Sequence, residues 1–247
     1  MDFKDIDFFN AESFSKTKDI ISDLIYSNDR GIFIISGETG VGKSRLIKFI
    51  VDEVKEDIFL ITEPPLLEKD LLAEIYYKLK NKHFSKNVKI SEMKVRVNDA
   101  FKKINHTIII DNIDKELSSL IDELGMSIQD IRDLKILIVI DKIFETPQDI
   151  DNTFNFKVQE NILVSRFSES DLKIFVDQLD ILDKKVLSEN FQLIYTATNG
   201  NIGKLEKMIN TSLEILEVAK TEKIMKFQKL DKCILIMSAL ENDLING

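Results

Sequence analysis

The chain has 247 residues, 44% of them hydrophobic and 31% charged, enough for a core domain of about 150–170 residues plus a smaller one. A formal net charge of −9 argues against a surface given over to nucleic acid, and a lone cysteine, Cys233, excludes an internal disulfide and fits a reducing compartment. No apolar run approaches the roughly 18–20 residues of a membrane span, and the acidic start Met1–Asp7 lacks a secretory apolar run. The expectation is a cytoplasmic protein that reaches a membrane only through a partner.

A first helix is predicted over 16–27, with Ile20, Ile21, Leu24 and Ile25 as its apolar side. Phe8 and Phe9 precede it and suit either an adenine ring or a core contact. Gly31-Ile32-Phe33-Ile34-Ile35-Ser36 has the composition of a short buried strand. Gly37-Glu38-Thr39-Gly40-Val41-Gly42-Lys43-Ser44 then matches G-x-x-x-x-G-K-[ST] without a mismatch. Its glycines let successive N–H groups face one centre, a hollow suited to an anion. Lys43 can reach terminal phosphates, and Ser44 offers a hydroxyl to Mg2+, which takes few protein ligands. A helix follows from Arg45 to Val54, with Leu46, Ile47, Ile50, Val51 and Val54 on one face, and its N-terminal dipole favours the same anion.

Residues 57–62 predict a second strand, ended by Pro64-Pro65. Helices are expected over 66–80 and 91–104, with a polar, lysine-rich loop at 81–90. Lys86, Lys89, Lys94, Arg96, Lys102 and Lys103 gather there, either as a solvated helix face or as a local nucleic-acid patch. His106–Asn112 is a β-branched run ending in an acid, the form of a central parallel strand with a carboxylate at its C-terminal edge. A phosphate loop needs such an acid to position Mg2+, so Asp111 is the first candidate and Asp141, which ends the strand 134–141, its rival. A helix over 114–124 should end at Gly125. Residues 145–159 have loop or edge character, and 160–165 form a shorter strand.

After residue 167 the strand signals stop. Ser168 with Asp171 resembles a capping box. A helix carrying Leu172, Phe175, Val176 and Leu179 follows, and further helices are expected over about 183–198, 201–219 and about 222–243, the last holding Cys233 at an apolar position. The alternation of strands and helices predicts an α/β, doubly wound parallel sheet over 1–167, and 168–247 a helical domain. His83 and His106 are not spaced as a metal pair.

GETGVGKS, IIIDNID, LKILIVID and the passage from NILVSRFSESDLKIFV to ATNGNIGKLEKMI together resemble the AAA+ P-loop ATPases, within them most the small ATPases of secretion, pilus assembly and DNA transposition. The resemblance implies a nucleotide domain with a helical lid, ATP and Mg2+ as cofactors, and a protein partner or homo-oligomer. It places nucleotide contacts at Gly37, Glu38, Thr39, Gly40, Val41, Gly42, Lys43, Ser44, Arg45 and Lys204, the metal at Ser44 and Asp111, and catalysis at Lys43, Asp111 and Asn112.

The same comparison exposes departures. The family has Glu after the strand-end Asp; here Asn112 stands there, and an amide cannot accept a proton. Asp114 or Glu116 lies two or four residues on. Asp141 or Lys142 falls at the sensor-1 position. Residues 141–159 contain no arginine, leaving Arg132 and Arg166 as candidates for a finger. At the lid position where the family carries an arginine, Asn201-Ile202 is followed by Gly203 and Lys204. The expectation is a slow or partner-activated ATPase that remodels or positions a protein assembly. The alternatives are a nucleotide switch without significant turnover and a DNA-handling ATPase of transposition or replication.

Overall fold

The computed structural model describes residues 11–54, 58–65, 67–102, 106–113, 125–126, 128–129, 131–179 and 183–245. Phe8, Phe9, Lys103, Asp114, Glu116 and the helix expected over 114–124 lie outside them. By compactness the chain falls into two units. One comprises 17–38 and 43–164, the other 1–16, 39–42 and 165–247.

The first unit holds most of α1 (Glu12–Tyr26), then β1 (Gly31–Ser36), α2 (Lys43–Val54), β2 (Ile58–Ile61), α3 (Glu68–Lys80), α4 (Ile90–Phe101), β3 (Thr107–Ile113), β4 (Lys135–Ile140), α5 (Pro147–Asp151) and β5 (Val158–Leu163). The strands form one sheet in the order β2-β3-β4-β1-β5, and every pairing is parallel. Parallel strands need crossovers and cover on both faces, which explains why β1, β3 and β4 are apolar runs and not alternating ones. Ile32, Ile34, Ile108, Ile110, Ile136, Ile138 and Ile140 share a buried cluster with Leu71, Leu72 and Ile75 of α3 and Met93, Val97 and Phe101 of α4.

On the other face Lys135 begins β4 fully buried. Its Nζ donates to Leu24 O at 2.9 Å, Ile25 O at 3.0 Å and Ser27 O at 2.7 Å, so a lysine from a distant strand satisfies the carbonyls at the end of α1. Burial pushes its pKa down to about 8, with Arg30 adding to the effect and Asp29 opposing it. Of the predicted apolar side of α1, Ile21, Leu24 and Ile25 are buried, whereas Ile20 is exposed.

Two strands carry bulges. Ile110 pairs with Ile138 but Ile113 with Ile140, so Asp111 and Asn112 sit in an irregularity of β3. Ile32 pairs with Val158 and Phe33 with Glu160, leaving Gln159 as the extra residue of β5. Bulges re-aim side chains next to functional sites. Gly125 is helical and ends nothing: its carbonyl accepts from Gln129 N at 2.9 Å. Its lack of a side chain serves packing, because a Cβ there would lie 2.1 Å from Phe156 Cδ1. The 145–159 segment contains α5, started by Thr146 and Asp149 in a reciprocal capping box with Pro147 in the first turn.

The second unit is helical: α6 (Glu169–Gln178), α7 (Lys184–Glu189), α8 (Phe191–Thr198), α9 (Ile202–Thr221), a 3-10 turn (Met225–Phe227) and α10 (Lys232–Glu241). The single helix expected over 183–198 is two, divided at Asn190, and the one expected over 222–243 is interrupted, with Lys223 at φ 55°. Cys233 is exposed, contrary to its expected core position, because α10 buries Ile234, Leu235, Ser238 and Ala239 instead.

Ser168 caps α6 as expected, accepting from Asp171 N at 3.1 Å. The Asp171 carboxylate then accepts from Ser168 Oγ at 2.8 Å, Ser13 Oγ at 2.8 Å and Glu12 N at 3.0 Å, so it also caps α1. Burial pushes its pKa up, but these donors outweigh burial and hold it below the ordinary carboxylate value. A folded pKa below the unfolded one adds stability that is complete above the unfolded value and lost as pH falls through the folded one. Wild-type unfolding midpoints should therefore drop as pH is lowered below about 4. Asp171→Asn should lower stability at neutral pH by about 1–2 kcal/mol and flatten that acid limb, measured by urea unfolding at a series of pH values.

Candidate functional site

The sheet brings three C-terminal strand ends together. β1 lies between β4 and β5, and the phosphate loop leaves β1 where the strand order reverses, the place at which open α/β sheets bind ligands. Gly37 N donates to Lys142 O at 2.9 Å and ties the start of the loop to the end of β4. Gly40 and Gly42 then take φ 84° and 99°, a conformation that residues with a Cβ rarely adopt, and α2 begins at Lys43.

Lys43 and Ser44, the first two residues of α2, meet two different acids. Lys43 is buried, and its Nζ donates to Gly37 O at 3.0 Å and Glu38 O at 2.7 Å and pairs with Asp141 Oδ1 at 2.6 Å. Ser44 Oγ donates to Asp111 Oδ1 at 3.1 Å. The two strand-end acids are thus separated in role. Asp111, buried at the bulge of β3, faces a hydroxyl, and Asp141, at the end of β4, neutralises an ammonium. A carboxylate beside a hydroxyl keeps lone pairs for a hard cation, whereas one held by an ammonium has its charge already matched.

Val41 is buried and Thr39 exposed. Arg45 stands half-buried in the first turn of α2. Asn112 follows Asp111 within β3, and its side chain is outside the described residues. Lys142 turns to Thr153, donating to its Oγ1 at 2.9 Å, with its Nζ 5.0 Å from the Phe144 ring centre. Lys204 is exposed, and its main-chain N–H donates to Asn201 Oδ1 at 3.1 Å. Arg132 lies in the turn before β4, at the N-terminal edge of a parallel sheet whose phosphate loop is at the C-terminal edge. Arg166 follows the C-terminal end of β5.

The lysine-rich region splits in two. On α4 and beside it, Lys94 pairs with Glu68 at 3.2 Å, Arg96 with Glu92, and Lys102 with Asp99 at 3.1 Å. Between α3 and α4, Lys82, Lys86 and Lys89 have no ion pair among the described residues, nor do Lys78 and Lys80 at the end of α3. In the same stretch Tyr77 and His83, both exposed, stack with ring centres 4.6 Å apart at 13°.

A family model described as an AAA domain matches residues 26–152, just over half of the chain. The chain belongs to the AAA domain family. Similar solved structures agree with this AAA fold. ORC1 of Aeropyrum pernix in complex with DNA aligns with a TM-score of 0.57 at 10% identity over 93% of this chain and 64% of its own. Drosophila ORC bound to DNA gives 0.59 at 11% over 91% and 58%. Domain III of the Thermotoga maritima replication initiation protein DnaA gives 0.55 at 17% over 96% and 94%. The chain therefore spans less than two thirds of the length of the two ORC chains. At these identities the likeness is one of fold: an α/β P-loop NTPase sheet with a helical C-terminal part. No curated protein matches the sequence. The AAA fold carries nucleotide binding with it, while the nearness to secretion, pilus and transposition ATPases has no counterpart among these matches.

Asp141 holds the Lys43 ammonium, so a phosphate bound there would have to compete with it. Asp141→Asn should tighten Mg·ATP binding about fivefold, roughly 1 kcal/mol, because it removes one competing charge and its repulsion of the nucleotide. Titration calorimetry of both proteins measures the difference.

Proposed function

We propose that the chain is a Mg·ATP-binding AAA+ module, slow in hydrolysis alone or activated by an arginine from a partner, that positions or remodels a protein assembly such as one of secretion, pilus formation or DNA transfer. The observation that carries this reading is the 3.1 Å contact of Ser44 Oγ with Asp111 at the head of α2, next to the buried Lys43. Gly37 to Ser44, with Arg45 and Lys204, would contact the nucleotide. Ser44 and Asp111 would hold Mg2+, which when bound neutralises charge on phosphate oxygens. Lys43 anchors the terminal phosphates, and Asn112 can orient a water but cannot take its proton. The absence of arginine from 141–159 and the amide at 112 support slow turnover, and at the limit a switch that binds and releases nucleotide without significant hydrolysis.

Phosphate release should be slow, abolished by Lys43→Ala, and raised about tenfold or more by Asn112→Glu, which restores a base. Equal rates for wild type and Lys43→Ala remove the hydrolase reading. Nucleotide binding without any phosphate release, even in Asn112→Glu, leaves the switch.

A second reading, DNA handling, has its own support. Lys78, Lys80, Lys82, Lys86 and Lys89 form an acid-free stretch within a chain of net charge −9, beside the exposed Tyr77–His83 stack. Two of the similar structures were solved with DNA. Cations follow a phosphate backbone and exposed rings stack on bases. Fluorescence anisotropy should then show single-stranded DNA binding that weakens steeply with salt, and Lys82→Glu with Lys86→Glu should reduce it. Binding indifferent to salt or to these changes rules the patch out.

A further inference from the structure

The tip of the phosphate loop, Thr39–Gly42, belongs to the same compact unit as α9. Two hydrogen bonds join them. Asn201 Nδ2 donates to Thr39 O at 2.9 Å, and Gly203 N donates to Gly40 O at 2.7 Å. Asn201 is buried, and its Oδ1 at the same time caps α9 by accepting from Lys204 N. One side chain thus starts the helix and holds the loop.

The approach is close enough to require glycine on both sides. A Cβ on Gly203 would stand 2.9 Å from Gly40 Cα and 3.3 Å from Gly40 O. A Cβ on Gly40 would stand 2.7 Å from Asn201 Oδ1 and 3.3 Å from Gly203 Cα. A larger residue at 203, the arginine that the AAA+ resemblance leads one to expect near here, would push the helix and the loop apart.

The direction of these bonds matters. The described peptide bonds are trans, and a trans peptide points its C=O and N–H in opposite directions. With the carbonyls of Thr39 and Gly40 held toward α9, the N–H groups of Gly40 and Val41 in the same peptide planes are turned away from it. Among the described residues neither N–H donates a hydrogen bond. We propose that Asn201 and Gly203 are positioning residues for nucleotide: they clamp two carbonyls of the loop tip and so pre-aim the Gly40 and Val41 amides at a polyphosphate. One donor of the clamp is the Asn201 side-chain amide and the other the Gly203 main-chain N–H. Two glycines make this loop free to take other conformations, so fixing it before binding raises affinity. The inference rests on the nucleotide reading above.

The test separates the clamp from the cap. Asn201→Ser keeps a capping oxygen but loses the amide donor, and Asn201→Asp keeps the cap with one atom exchanged. Gly203→Ala forces the two backbones apart. Titration calorimetry with Mg·ATP is run on each, beside thermal unfolding without nucleotide. The expected result is an affinity at least tenfold weaker in Asn201→Ser, Asn201→Asp and Gly203→Ala, with the melting temperature of Asn201→Ser near that of wild type. Where Gly203→Ala fails to fold, the two Asn201 variants decide. Wild-type affinity in Asn201→Ser overturns the proposal, as does a loss that only follows a fall in its melting temperature. A loss confined to Lys204→Ala also overturns it and gives the role to that side chain. If wild type itself binds no Mg·ATP, the nucleotide reading fails first, which is a distinct outcome.

Discussion

A lysine whose side chain is 4% exposed must find acceptors for the three N–H groups of its ammonium, and Lys43 finds Gly37 O, Glu38 O and Asp141. Two of these belong to the loop itself, so the amine is satisfied only when the loop curls back over it. The curl in turn needs φ 84° and 99° at Gly40 and Gly42. The third acceptor, Asp141, follows directly after β4, which must therefore lie beside β1, as the sheet order has it. Loop conformation, strand order and the burial of one charge depend on each other.

The next residue repeats the arrangement one strand further along. Ser44 meets Asp111 of β3, the neighbour of β4, and the bulge at Asp111-Asn112 lets that carboxylate leave the regular alternation. Adjacent residues at the head of a helix are thus matched to acids on adjacent strands, and the pairing assigns the chemistry. Had the acids exchanged partners, the carboxylate proposed to bind a cation would already be committed to an ammonium.

The phosphate loop, its strand and its helix were legible in the sequence because each residue there has a local duty and the pattern is contiguous. That an acid, Asp111, ends the apolar run of β3 was legible for the same reason. The rivalry of Asp111 and Asp141 was not, because both end similar strands, and what distinguishes them is which strand neighbours which. The bulge leaves no mark in a run of isoleucines. Asp171 looked like a local cap, and Ser168 does use it so, yet its contact with Glu12 N crosses 159 positions and no local period could carry it. Cys233 lies exposed where the sequence suggests core, because α10 is apolar nearly all round and periodicity does not say which side is covered. The sequence suggests a helix end at Gly125, yet the residue is helical and its lack of a side chain admits Phe156: a glycine signals backbone freedom or close approach, and the letters do not distinguish the two.

The cations of the chain also bear on where the rate of the proposed hydrolysis would be set. Lysines anchor phosphates as point charges, but the fork of an arginine spans two oxygens at once. This chain has five arginines. Arg96 is held by Glu92 on α4, and Arg132 sits at the sheet edge away from the phosphate loop. Arg45 stands in the first turn of α2, directly after Lys43 and Ser44. Arg30 precedes β1, again at the N-terminal edge. Arg166 alone follows a strand at the C-terminal edge, and it already belongs to the helical unit. Arg30, Arg96 and Arg132 are thus placed or engaged away from the phosphate loop, Arg45 is one of the proposed nucleotide contacts, and residue 112 is an amide. Under the proposed reading, grip on the nucleotide is built into this chain, while the charge that would speed its hydrolysis has to come from whatever the chain assembles with.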